Sequence, residues 1–425
     1  MESPIPDYLR ELLDRCTGNE QGAVADYIPE LARANPDRLG IAMTTVEGAT
    51  YTVGDADIDF SIQSISKPFT YGLALSDAGF DAVLSKIGVE PSGDAFNEIS
   101  LEEVTGKPFN PMINAGAITA HSLVNGADSE ARVERIREHF SALAGRELSF
   151  DEAVNSSEFD TAHRNLAIGY MLKTVGILEG DPVDVVRGYI RQCSLNVTAR
   201  DLSIMAATLA NGGVQPNTGE RLFWPSAVRQ ALSVMLTCGM YDAAGDWMSV
   251  VGIPAKSGVA GGLIGVLPGQ IGIAVFSPKL DDHGNSVRGV KLFERLSRDM
   301  GLHLMETPTL GRASLRSDYV KDGVHVFEVQ GVVRFAGAEA VVRSIAEGDQ
   351  DEDAYILDLS RVYELGDVAR RMLLEVVRRL TLLDKKKVAI VDPDEVLPDP
   401  DAGDGVTADV FATVSEAMSH VKSAA

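Results

Sequence analysis

The chain has 425 residues, 45% hydrophobic and 24% charged, which excludes a disordered, collagen-like or coiled-coil protein and allows two or three domains with a large core. Its formal charge of −24 argues against nucleic acid or an anionic membrane surface as the main partner, because so acidic a chain repels polyphosphate. Three cysteines, Cys16, Cys193 and Cys238, form no C-x-x-C pair and build neither a disulfide framework nor a zinc site. The Met1-Glu2-Ser3-Pro4 start carries no basic or apolar signal segment, and no run approaches the ~18 apolar residues of a membrane span, so a cytoplasmic protein is expected.

In chain order, Leu39–Tyr51 predicts a hairpin, two apolar runs around Val46-Glu47-Gly48. A helix-rich stretch follows from about Ser64 to Cys238. Ala255–Val266 and Gln270–Phe276 predict β-rich runs joined by Leu267-Pro268-Gly269, and Ser286–Met300 a helix that Gly301 stops. Strands thus flank a helical insertion. Pairing the early and late hairpins into one antiparallel sheet, with the helices as a second lobe, gives an α+β fold. Met305–Val320 is polar, carries Pro and Gly and has no sustained period, so 305–320 is expected as a linker between domains at 1–304 and 321–425. The second domain predicts two alternating runs about Gln330-Gly331 and helices over Ala336–Ala346, Asp367–Leu383 and Val406–Val421. Strands are expected at Ala354–Leu359 and Val388–Val391, and the acidic run Glu347–Asp353 as a solvated loop. The result is a compact α/β module without an evident catalytic constellation.

Chemistry concentrates before the linker. Ser64 and Lys67 form an S-x-x-K pair followed by Pro68, which a helix tolerates only in its first turn. The helix therefore begins near Ser64, with the hydroxyl at the positive end of the dipole and Lys67 one turn along on the same face. A serine needs a base within hydrogen-bond reach, and a lysine serves if burial leaves its amine neutral. The pattern alone is weak, since Ser419 and Lys422 repeat it near the tail. Lys256-Ser257-Gly258 strengthens it, standing where K-T-G occurs in serine β-lactamases and penicillin-binding proteins. The N–H groups of Ser64 and of Val259 on that strand edge are the natural oxyanion donors.

Several other polar positions have ordinary explanations as well. Asn114 suits a helix N-cap. Glu158 and Asn165 flank Phe159–Arg164 before a helical run, where one can cap and the other be solvated. Tyr189 lies on an apolar helix, and Tyr241 opens a turn before Gly245. The seven histidines lack H-x-x-x-H or H-E-x-x-H spacing, and no G-x-S-x-G elbow or Walker loop occurs, so metal, α/β-hydrolase and nucleotide chemistry lack support. No metal and no cofactor is expected.

Taken in order, a set of segments resembles the serine-dependent, β-lactamase-like glutaminase family. They are Tyr27-Ile28-Pro29, Gln63-Ser64-x-x-Lys67-Pro68, Asn110-Pro111-Met112-Ile113-Asn114-Ala115-Gly116-Ala117, Ser157-Glu158 and Arg164-Asn165-x-Ala167-Ile168-Gly169-Tyr170. Tyr189 with Cys193-Ser194, Met205–Gly213, Cys238-Gly239-Met240-Tyr241-Asp242 and Pro254–Gly262 continue it over nearly all of residues 20–300. The resemblance implies hydrolysis of L-glutamine to L-glutamate and ammonia through a glutamyl-enzyme on Ser64. It implies Lys67 as the base, Tyr241 as proton shuttle and the Ser64 and Val259 N–H groups as oxyanion hole. Glu158 would meet the substrate ammonium, Asn114, Asn165 and Tyr189 its carboxylate, Tyr27 would close the pocket and Gln63 support it. Such enzymes take no cofactor and are usually dimers or tetramers.

The tail is similar to a STAS domain in its hairpin start, in Ile356-Leu357-Asp358-Leu359-Ser360 on a strand and in the helix after Asp367. The turn Leu365-Gly366-Asp367-Val368-Ala369 lacks the hydroxyl that family phosphorylates. Two other functions stand beside the glutaminase: a β-lactamase-like amide hydrolase or peptidase of another substrate, and a non-catalytic amino-acid-binding STAS regulator.

Overall fold

Gly40–Thr45 pairs antiparallel with Thr50–Gly54 on one side and with Ile271–Phe276 on the other, so the early and late hairpins do join in one sheet. The structure is a computed structural model that describes residues 5–92, 101–305, 314–333, 335–348 and 352–423. Two compact units divide the chain, Met1–Glu306 and Thr307–Ala425.

In the first unit the five-stranded sheet runs Thr50–Gly54, Gly40–Thr45, Ile271–Phe276, Gly262–Leu267, Ala255–Ser257. Side chains alternate between two buried faces. Ile41, Leu263, Ile273 and Val275 pack with the helices Ile5–Thr17 and Val287–Met300, whereas Ala42, Ile264, Val266 and Ala274 pack with Ala199–Ala210 and the helical lobe. The expected run Ala255–Val266 is not one strand. It folds back on itself at Gly258–Gly261, where Gly261 takes φ +96°, so that Lys256 pairs with Ile264 and the K-S-G segment becomes the sheet edge. The helical lobe carries Phe60–Ser61, which pairs with Asn196–Val197, and meets the sheet where Phe60 stacks on Phe276 of the central strand at 4.2 Å.

The second unit has its own sheet, ordered Asp409–Phe411, Lys387–Val391, Ala354–Leu365, Val324–Val333, Leu315–Lys321, parallel except for the last strand. Helices Phe335–Glu347 and Asp367–Leu382 cover one face and Val414–Ser423 the other. Three expectations are corrected here. The linker does not reach 320: Leu315–Lys321 is a strand, joined to Val324–Val333 by Asp322-Gly323, both with positive φ as a two-residue hairpin turn requires. Gln330-Gly331 consequently lies inside one long strand rather than at a turn. The stretch Val406–Val421 is helical only from Val414, because Asp409–Phe411 adds a parallel edge to Lys387–Val391. Residues 306–313 of the expected linker and 349–351 of the acidic run lie outside the described residues.

Candidate active site

Gln63–Ile65 forms a single 3₁₀ turn that runs into the helix Ser66–Ala78, placing Ser64 just ahead of the helix and Pro68 in its first turn. Lys67 is 1% exposed, and its Nζ donates to the Met112 carbonyl oxygen at 3.0 Å and to Asn114 Oδ1 at 2.8 Å. Burial penalises the ammonium form and brings its pKa from 10.5 down to about 7. The Met112 carbonyl is held out by an Asx turn in which Asn110 Oδ1 accepts the N–H groups of Met112 and Ile113 at 2.9 and 3.2 Å. Gly116 makes that turn possible, since a Cβ there would lie 1.9 Å from the Asn110 carbonyl oxygen.

Tyr241 is hydrogen-bonded to Ser64 and donates to the Ser257 carbonyl oxygen at 3.0 Å. Burial raises its pKa, so the phenol stays protonated. The Ser257 carbonyl also accepts Lys256 Nζ at 2.7 Å, and that nitrogen lies 4.0 Å from the Tyr241 ring centroid. Lys256 is fully buried. Desolvation first, then the neighbouring Lys67, drives its pKa well below the usual lysine value.

A cavity of about 280 Å³ opens in front of Ser64. Tyr27, Gln63, Ser64, Asn114, Glu158, Asn165, Tyr189 and Val259 all line it, so eight of the ten residues singled out in the sequence meet there. Lys67 and Tyr241 stand behind it, each touching a lining residue. Glu158 Oε1 accepts Tyr27 OH at 2.8 Å and Gln63 Nε2 at 3.1 Å. Burial raises the Glu158 pKa, the two hydrogen bonds oppose that rise, and Glu30 adds to it. Although Tyr27 is 47% exposed, its hydroxyl is turned in onto Glu158, where burial holds the phenol well above its ordinary pKa. Asn114 Nδ2 donates to Asn165 Oδ1 at 2.9 Å. The buried Tyr189 is hydrogen-bonded to Cys193. A larger cavity of about 450 Å³ touches Tyr241 and Met112 but is not lined by Ser64.

Among the described residues of the first unit, Gln63 and Tyr241 are the two non-glycine residues with positive φ, at +51° and +57°. Each such conformation costs about 1–3 kcal/mol unless its surroundings impose it, and both sit at Ser64. The capping explanations of Asn114, Glu158 and Asn165 do not hold, whereas Tyr189 is buried in an apolar cluster and Tyr241 does open a turn. Asn114 is the first residue of the helix Asn114–Ser122, whose cap is Ile113, and its amide is committed to Lys67 and Asn165. Glu158 and Asn165 lie within the helices Glu152–Asp160 and His163–Thr174, which are capped by Asp151 and Ala162.

Sequence reasoning named K-S-G but gave Lys256 no part, and it overlooked Arg164 and Cys193 as cavity-lining residues. A lysine in a run of small and apolar residues was the available signal for the first. The Met112 carbonyl carried no signal at all, because backbone groups are anonymous in a sequence. Among the described residues, no cluster of three His, Cys, Asp or Glu side chains is placed to hold a metal ion, and no helix is long and apolar enough to cross a membrane.

A family model described as Glutaminase matches residues 22–305. The chain is 51% identical over 405 residues to a glutaminase of Corynebacterium glutamicum, covering 95% of this chain and 97% of that one. It is 49% identical over 304 residues to a glutaminase of Trichormus variabilis, covering 72% of this chain and 91% of the relative. A crystal structure of Mglu in its glutamate form superposes with a TM-score of 0.83 at 44% identity, covering 93% of this chain and 100% of that one.

Proposed function

The chain belongs to the glutaminase family and is an amidohydrolase that splits L-glutamine into L-glutamate and ammonia, and we propose that Ser64 is its nucleophile and Lys67 its base. The carrying observation is the environment of Lys67. A neutral amine has two N–H bonds, and Met112 O and Asn114 Oδ1 accept both, which leaves the lone pair for the Ser64 hydroxyl.

In this mechanism Lys67 takes the Ser64 proton as Oγ attacks the side-chain amide carbon. The N–H groups of Ser64 and Val259 hold the resulting oxyanion. Tyr241, neutral and bonded to Ser64, passes the proton from the Lys67 ammonium to the leaving nitrogen, the C–N bond breaks and ammonia departs. Water then attacks the glutamyl ester, its proton returns through Tyr241 to Lys67, and Ser64 recovers its own as glutamate leaves. Glu158, braced by Tyr27 and Gln63, receives the α-ammonium, while Asn114, Asn165 and Tyr189 receive the α-carboxylate. The similar Mglu has been crystallised in a glutamate form, which fits a product-shaped pocket.

Ser64→Ala tests the assignment. Ammonia release should fall by several orders of magnitude while glutamine still binds; retained turnover would remove Ser64 as nucleophile. A β-lactamase-like hydrolase of other amides finds no use for the braced Glu158 carboxylate, and a mere amino-acid binder finds none for a neutral lysine at a serine.

The second unit is proposed to be a STAS-like module that packs or senses a ligand. Its parallel sheet with helices after successive strands supports that reading. The Trichormus variabilis relative matches 72% of this chain, a share that Met1–Glu306 alone accounts for, so the first unit should suffice for catalysis. A chain ending at Met305 should release ammonia at a rate near that of the full protein. A cytoplasmic setting and a dimer or tetramer complete the proposal.

A further inference from the structure

A run of buried, uncharged polar side chains in the first unit takes no part in that mechanism. Gln192 is 1% exposed and lies on the helix Pro182–Cys193, beside Cys193 and one turn after Tyr189. Its Nε2 donates to Ser66 Oγ at 3.0 Å, and the Ser66 hydroxyl donates to the Gln63 carbonyl oxygen at 2.8 Å. On its other side Gln192 Oε1 lies 2.9 Å from His121 Nδ1. With the Gln192 amide nitrogen facing Ser66, its oxygen accepts from Nδ1 of His121, which therefore carries the proton. Burial lowers the His121 pKa to about 4, which keeps the imidazole neutral at physiological pH. Gly188 leaves room for the ring, since a Cβ there would lie 2.5 Å from His121 Nε2.

The donors in this run all point one way. A serine hydroxyl has one proton, and the Gln192 N–H occupies a lone pair of Ser66. The Ser66 proton is thereby directed to the Gln63 carbonyl. Gln63 is the residue at φ +51° whose side chain braces Glu158, and such a conformer persists only when its surroundings over-determine it. We propose that Gln192 is a positioning residue for amino-acid recognition: with His121 and Ser66 it locks the Gln63 turn and so aims the Gln63 amide at the ammonium-binding carboxylate. This rests on the reading that Glu158 and Gln63 receive the α-ammonium.

The test uses the full chain with glutamine and with glutaramate, which is glutamine without its α-amino group. Gln192→Met keeps length and volume but removes the donor to Ser66 together with the acceptor of His121. It should raise KM for glutamine about tenfold, the worth of one buried hydrogen bond, and shrink the preference for glutamine over glutaramate by the same factor with kcat little changed. Gln63→Ala should shrink that preference too, and adding Gln192→Met to Gln63→Ala should change it no further. If Gln63→Ala leaves the preference intact, the ammonium-site reading and the proposal both fall. If Gln63→Ala shrinks it but Gln192→Met then acts with its full factor, or lowers kcat and spares the preference, the proposal alone is overturned. Ser66→Ala, which leaves the His121–Gln192 pair intact, serves the same comparison should Gln192→Met not fold.

Discussion

The base proposed at Lys67 depends on both of its acceptors being uncharged, and Asn114→Asp alters that by exchanging one heavy atom, the amide nitrogen, for oxygen. The oxygen that stands 2.8 Å from Nζ would become part of a carboxylate. Opposite unit charges about 4 Å apart at an effective dielectric near 20 attract by about 4 kcal/mol. At roughly 1.36 kcal/mol per pKa unit this raises Lys67 by about three units, from about 7 toward the ordinary lysine range. The neutral fraction at pH 7 then falls from about half to roughly one in a thousand, and turnover with it. The assay is ammonia release at saturating glutamine from pH 5 to pH 10, with kcat rather than kcat/KM as the readout, because repulsion of the substrate carboxylate by Asp falls on KM. The parent should rise through an acid limb near 7, as expected for a base that works when deprotonated. The variant's limb should move up by about three units, with activity recovering in alkali. A variant whose kcat drops equally at every pH, with its limb still near 7, would show that Lys67 is not the titrating base.

Glu158→Gln should lower kcat/KM for glutamine by roughly 30-fold or more, since stripping one partner from a buried charge pair costs about 2–5 kcal/mol; an unchanged value would unseat the ammonium site. Tyr241→Phe should reduce kcat by about 10²–10⁴ as the proton relay is lost, yet keep the acid limb near 7, and a limb that vanishes would transfer the base role to the phenol. Gly116→Ala should lower the melting temperature by several degrees, because its Cβ would meet the Asn110 carbonyl oxygen at 1.9 Å and overpacking costs about 1–3 kcal/mol. A melt identical to the parent's would mean that the Asx turn under Met112 yields freely.

What the sequence disclosed and what it hid follow a physical division. Pro68 located the start of the helix behind Ser64, because proline is tolerated only in a first turn. Gly48 and Leu267-Pro268-Gly269 marked the hairpins that build the sheet. Asp322-Gly323 announced a hairpin just as plainly, but the polar residues around it suggested a linker: an edge strand exposed along most of its length lacks the apolar face that identifies a strand. Asp409–Phe411 was hidden for the opposite reason. Three residues are too few to show a period, and only pairing with Lys387–Val391 makes them a strand. At the site, residue types with strong local signatures were found, whereas the Met112 carbonyl and the Gln192–Ser66 link were not, since the contacts that define them join segments 45 and 126 residues apart.

Ownership of the working proton follows from three buried groups considered together. Tyr241 has its pKa raised, so at neutral pH the phenol is protonated, which suits the relay proposed for it. Lys256 has its pKa pushed well down, by burial and then by Lys67, and its nitrogen is engaged with the Ser257 carbonyl and the Tyr241 ring. Its nitrogen is placed against the ring and the K-S-G edge, which leaves the proposed base role to Lys67. Lys67, brought to about 7, changes charge near neutral pH, where the cost of protonating it and the cost of leaving it free are balanced. A base with a higher pKa would rest protonated, and one with a lower pKa would hold the Ser64 proton too weakly to activate the hydroxyl. The buried helix start supplies that balance without a neighbouring carboxylate, and for this reason the acceptors around Nζ are a backbone carbonyl and an amide.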